Sequence, residues 1–152
     1  MCDTDEGAQT GPPVECQLHE AYYRQLVRLA ALLIGDPDAA EEIAGAAIAA
    51  LPPWLAPGRA RSDDAGRYLQ RQVLIRCRRS RPRRPAGPGF AGLPVIRALQ
   101  ELPPYGREAV VLTHYLDLTR PQAATVAGVS EAELQKRLGR AMQMLQDRLR
   151  QA

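Results

Sequence analysis

The sequence predicts an all-α fold of two small helical domains, the second of them a helix-turn-helix. Three observations lead there. Aromatic residues are only 5% of the chain, and β-branched residues are sparse beside its many Ala, Leu and Arg, a mix that favours helix over strand. Apolar side chains recur at the helical steps of three and four. Pro- and Gly-rich stretches at 52–62 and 82–92 interrupt that rhythm and divide the chain.

The elements follow in order. Residues 1–14 are polar, contain Gly and Pro, and read as a disordered leader. A first helix is expected from Cys16 to Ile34, where Tyr22, Leu26, Leu29 and Leu33 share one face before Gly35 stops it. Asp36 then caps a second helix, with Pro37 at its first position, where a missing N–H costs nothing. Glu41 and Glu42 lie near the positive end of that helix dipole. Ala40, Ile43, Ala47 and Leu51 form its inward stripe, and Pro52-Pro53 ends it. A third helix begins near Asp63-Asp64 and continues through Ser80. Its spacing buries Leu69, Val73 and Cys77 and turns Arg71, Arg78 and Arg79 to solvent. These helices make a first domain of 15–84, and a short linker at 85–92 leads to a second domain of 93–152. There, helices are expected near Pro94–Leu102, Tyr105–Leu116 (with Val110, Val111 and Tyr115 inward), Arg120–Ala127 and Glu131–Arg150.

Charge is unevenly spread. Residues 1–58 carry Arg24 and Arg28 against nine acids, a net of −7. Residues 59–84 carry ten Arg against Asp63 and Asp64, a net of +8. A basic block of that density points to a polyanion, most simply nucleic acid. Cys2, Cys16 and Cys77, with His19 and His114, have neither disulfide-framework nor zinc-site spacing, so no metal or cofactor is expected. Phosphate-binding, nucleophile-elbow and zinc-protease motifs are absent, which argues against an enzyme. No apolar run is long enough to span a membrane and no signal peptide is evident, so a cytoplasmic protein is expected.

The most specific signal lies at 118–145, LTRPQAATVAGVSEAELQKRLGRAMQML. Thr119 with Gln122, and Ser130 with Glu133, form two capping boxes that fix two helix starts. Between them, Ala124 and Gly128 are separated by three residues; a small residue allows close helix crossing, and Gly permits the positive φ of a tight turn. Ala127, Val129, Leu134 and Leu138 supply the apolar contacts. Gln135, Lys136, Arg137 and Arg140 remain on the outer side of the second helix. A helical hairpin with a solvated charged face has some of these features, but their joint register favours a DNA-binding unit.

Residues 98–149 resemble region 4 of extracytoplasmic-function (group 4) sigma factors. The likeness rests on Leu102-Pro103, Arg107, Leu112, Tyr115, Ala124, Gly128, Ser130, Leu134, Arg137, Arg140-Ala141 and Leu145. More loosely, Tyr23 to Ala50 and Tyr68-Leu69, Val73, Arg76 and Arg78-Arg79 are similar to sigma region 2. The resemblance implies that Ser130, Glu131, Ala132, Glu133, Gln135, Lys136, Arg137 and Arg140 meet a −35 element in the major groove. It implies that Arg67, Arg71, Arg76, Arg78 and Arg79 lie along −10 DNA. Trp54 would sit where the family holds a flipped-out base, although Trp54 is equally suited to plugging the core. Glu41, Glu42, Ile43 and Ile48 fall on the polymerase-binding helix. There the sequence departs from the family: Ala44-Gly45-Ala46-Ala47-Ile48-Ala49 contains neither aromatic nor Gln.

The function implied is that of an alternative sigma factor. Its partners would be promoter DNA, core RNA polymerase and, in some settings, an anti-sigma factor, with no membrane partner. The alternative is a sigma-derived DNA-binding regulator, or a partner-binding module, that has lost polymerase binding.

Overall fold

A computed structural model describes residues 14–55, 62–80 and 93–151. Residues 1–13 of the expected leader, the linker 85–92, most of the loop 52–62, and Arg81, Arg83 and Arg84 fall outside the described residues. Those described form helices without a strand: α1 (Val14–Ile34), α2 (Pro37–Ala49), a 3₁₀ turn at Pro53–Leu55, α3 (Ser62–Arg79), α4 (Pro94–Gln100), α5 (Pro104–Val110), a π turn at Val111–Tyr115, α6 (Arg120–Ala127) and α7 (Glu131–Gln151).

Local chemistry sets the boundaries. Gly35, with φ +74°, ends α1. Asp36 Oδ1 then accepts from the N–H groups of Asp38 at 3.1 Å and Ala39 at 3.3 Å. These are two of the donors that a helix start leaves unpaired. α1 packs on α2 and α3, while α5 and α6 pack on α7. The inward stripe of α2 includes buried Ala40 and Ala47 and half-buried Ile43 and Leu51, and Ala44 joins them. Such small side chains bring α2 close to α1.

The helix expected over Tyr105–Leu116 forms, but its second half departs from α geometry. The Leu116 N–H reaches back five residues to the Val111 carbonyl at 3.1 Å, and Thr113 Oγ1 donates to the Ala109 carbonyl at 2.7 Å. A π turn of this kind shifts the helical phase. Val110 and Val111 stay buried as expected, while Tyr115, expected inward, is 39% exposed. Side-chain back-bonding of this kind is not visible in apolar spacing.

A continuous buried cluster joins the two halves. It runs from Leu26, Leu29, Leu69 and Leu74 to Leu112, Leu134 and Ala141. α3 lies against α6, and α1 against α4 and α5. Leu112 is fully buried, whereas Leu149 near the end of α7 is 38% exposed. Leu112→Ala should therefore destabilise the fold by about 2–5 kcal/mol, and Leu149→Ala by well under half of that, read as midpoints of urea unfolding.

Candidate nucleic-acid interface

The helix-turn-helix is built as its sequence implies. Thr119 Oγ1 accepts from the Gln122 N–H at 3.4 Å and Gln122 Oε1 accepts from the Thr119 N–H at 3.0 Å, a complete capping box at the start of α6. Gly128 takes φ +74°, and its N–H and that of Val129 both reach the Ala124 carbonyl. An L residue at that φ is strained, so the turn requires Gly. At the start of α7 only half of the expected box forms. Ser130 Oγ accepts from the Glu133 N–H at 3.2 Å, but the Glu133 carboxylate turns forward to Arg137 Nε at 3.0 Å.

That pairing sorts the predicted recognition residues into two groups. Ser130, Glu131, Ala132, Gln135, Lys136 and Arg140 are exposed. From Glu131 onward they repeat in pairs every four residues, which makes one outward stripe. Glu133 and Arg137 are half-buried beside it, and the Arg137 guanidinium stacks 4.5 Å from the centre of the Tyr105 ring. Arg120 Nη1 donates to Gln135 Oε1 at 3.3 Å, tying α6 to the stripe.

α3 buries Leu69, Val73 and Cys77, as its periodicity requires. Its arginines divide. Arg79 is exposed, while Arg67 and Arg76 are half-buried with their Nε atoms enclosed and without a hydrogen-bond partner among the described residues. Arg71 and Arg78, expected to face solvent, have exposed surface but are bound to the other half. Arg71 Nη1 donates to the Thr125 carbonyl at 2.8 Å. Arg78 grips Glu108 with two bonds of 2.8 Å and donates to the Ala127 carbonyl at 2.9 Å. Periodicity identifies the face that points away from a helix's own core, but not whether a second half covers that face.

Glu108 is 4% exposed. A buried carboxylate is strongly unfavourable unless paired, and removing one partner of such a pair costs on the order of 3–5 kcal/mol. The hydrogen bond to Glu108 holds the Arg78 guanidinium above its ordinary pKa. On the other side of the interface the roles reverse. Gln100 Nε2 donates to the Leu32 carbonyl at 2.6 Å, and Arg107 donates to the carbonyls of Leu33, Leu99, Gln100 and Leu102. Burial pulls the Arg107 pKa down, but its donors are well supplied with acceptors.

Two clefts open along this seam. One, of about 480 Å³, is lined by Trp54, Leu55, Asp64, Arg67 and Tyr68 from the first half and by Pro121, Gln122 and Thr125 from α6. Trp54 is 64% exposed and the adjacent Leu55 only 4%, so Leu55, not Trp54, plugs the core. The other, of about 350 Å³, includes Leu33, Ile34, Cys77, Arg78, Arg107 and Glu108. Burial, with Glu108 nearby, pushes the Cys77 thiol up to about 12. On α2, Glu41 and Glu42 are exposed, while Ile43 and Ile48 are half-buried and pack on the core. The outward face of α2 is completed by Ala46 and Ala49, so no aromatic or large apolar side chain projects from it.

Sequence reasoning missed Glu108, Tyr105, Gln100 and the cross-seam role of Arg107. Glu108 did leave a signal: it lies four residues before Leu112 on an inward face, where an acid must find a cation. Among the described residues no group of His, Cys, Asp and Glu could hold a metal ion, and no helix is long and apolar enough to cross a membrane.

Residues 93–145 match the family model for sigma-70, region 4. No curated protein sequence matches the chain. Among solved structures, the chain is similar to the sigma factor RpoE from Bartonella quintana, solved in complex with the anti-sigma factor NepR, with a TM-score of 0.66 and 20% identity over 89% of this chain and 96% of that one. At that identity the likeness concerns the fold.

If the exposed stripe of α7 contacts DNA phosphates, Lys136→Ala with Arg140→Ala should weaken duplex binding about equally across sequences. It should also lower the slope of log affinity against log salt by about 2, with thermal stability unchanged. Fluorescence anisotropy at several salt concentrations reads both effects.

Proposed function

We infer that the chain is an alternative sigma factor of the extracytoplasmic-function type, directing RNA polymerase to promoters through −10 and −35 elements. The observation that carries this reading is the region 4 match over 93–145, on a helix-turn-helix whose second helix leaves Gln135, Lys136 and Arg140 exposed. The sigma-factor fold extends the likeness over most of the chain. In this reading the N-terminal part of α7 enters the major groove at −35, with Ser130, Glu131, Ala132, Gln135, Lys136 and Arg140 at the surface. Glu133 and Arg137 brace that surface. Arg67, Arg71, Arg76, Arg78 and Arg79 follow −10 DNA, and Trp54 offers an aromatic platform for an unpaired base, which stacking stabilises. Residues 15–84 and 93–152 act as the two reading units, joined by the linker at 85–92.

Glu41 and Glu42, with Ile43 and Ile48 beneath them, are the proposed contact with core polymerase. The protein works in the cytoplasm, without catalysis of its own. RpoE was solved with an anti-sigma factor, and a partner of that class is proposed for this chain as well. A second reading, a sigma-derived DNA-binding regulator without polymerase binding, is favoured by one observation. The exposed face of α2 carries Glu41, Glu42, Ala46 and Ala49, with no aromatic or Gln to dock.

Co-purification of the full chain with core RNA polymerase separates the two readings. A sigma factor should elute as a one-to-one complex, and Glu41→Lys with Glu42→Lys should weaken that complex at least tenfold while leaving promoter-fragment binding intact. Elution apart from polymerase, with DNA binding retained, would establish the regulator instead.

A further inference from the structure

Helix stability does not explain Arg120. It occupies the first position of α6, at the positive end of the helix dipole, where a cation is disfavoured. It is exposed, and among the described residues it forms no ion pair. Its hydrogen bond goes instead to the recognition helix, where Nη1 donates to Gln135 Oε1 at 3.3 Å. The helix-turn-helix motif holds both ends of that bond in place. The capping box of Thr119 and Gln122 sets the start of α6, and the Gly128 turn sets how α7 follows it.

The chemistry of the pair determines what Gln135 can offer to DNA. A guanidinium has only N–H donors, so the amide must turn its oxygen, not its NH2 group, to Arg120. Gln135 is exposed and lies toward the N-terminal end of α7, the part of a recognition helix that meets base edges. A Gln with both amide atoms free pairs with adenine, accepting from N6 and donating to N7. Here Oε1 keeps a second lone pair, but the guanidinium beside it repels any further N–H donor. Nε2 keeps its two donors for a ligand. Guanine presents two acceptors, O6 and N7, in the major groove, whereas adenine presents an amino donor beside its N7.

We propose that Arg120 determines base specificity by positioning Gln135: it holds Oε1, so that the recognition helix reads an acceptor edge, guanine rather than adenine, at one base pair of the −35 element. Arg120 acts through Gln135, and the pair works as one donor-only unit. This rests on the promoter-reading function proposed above, and the test below separates the two ideas.

The test is a selection from random DNA duplexes by the full chain, alone and with core RNA polymerase, with the bound sequences counted. Gln135→Ala identifies the base pair that Gln135 reads, as the one whose preference it erases. At that pair the parent chain should enrich guanine over adenine about fivefold or more. Arg120→Met removes the donors and frees the amide, and should bring adenine level with guanine or above it. Arg120→Glu accepts from Nε2 and leaves Oε1 for DNA, and should favour adenine or cytosine, whose amino groups donate. Arg120→Lys keeps a donor and should keep guanine. Arg120 is exposed, so helix content by circular dichroism should be unchanged in all three variants. A loss of affinity spread evenly over all sequences, with base preference unchanged in Arg120→Met and Arg120→Glu, makes Arg120 a phosphate contact only; it overturns the proposal and leaves promoter reading intact. A parent chain that selects sequences, with no preference erased by Gln135→Ala, overturns it as well. A parent chain that enriches no sequence in either incubation overturns promoter reading itself, and this proposal with it.

Discussion

Four main-chain carbonyls at the ends of two helices, those of Leu32, Leu33, Thr125 and Ala127, are gripped by side chains from the opposite half of the molecule. The last carbonyls of a helix have no partner inside it and must be met by side chains, solvent or a following turn. Here α1 and α6 meet part of that need across the seam. The apolar cluster continues beneath and fixes which helices are neighbours, but the polar grip aligns them. It brings α3 to α6, brings Arg78 to the buried Glu108, and leaves clefts on the seam beside Trp54 and beside Cys77.

Much of this fold was legible in the sequence because the start and stop of each helix are written in short-range chemistry. Asp36-Pro37, Thr119 with Gln122, and Gly128 act within a few residues of themselves, and the structure places each as expected. The buried faces of α1, α3 and the helix-turn-helix followed from spacing for the same reason. The π turn at Val111–Tyr115 did not, since it depends on the geometry of a helix already packed on both sides. The Ser130–Glu133 box was half right: Glu133 had a second choice, a guanidinium one turn ahead, and took it.

The candidate site was less legible, and the reason is physical. The arginine run in α3 announces affinity for an anion, but a guanidinium does not distinguish phosphate from carboxylate or from carbonyls at a helix end. Arg71 and Arg78 found the last two inside the molecule, 54 and 30 residues away in sequence. Spacing along one helix contains no information about such partners. Trp54 could have filled the core or faced a ligand; the choice fell to its neighbour Leu55, which took the buried position in the 3₁₀ turn. The residue types that suit promoter DNA thus serve equally well in holding the molecule closed.

That closure is the claim on which the account turns, and small-angle scattering of the free protein in dilute low-salt buffer measures it most directly. A closed chain of this length should give a pair-distance distribution with one dominant lobe and a radius of gyration close to the compact value of about 15 Å. A distribution with two separate lobes, one for each half of the chain, would contradict the closed arrangement.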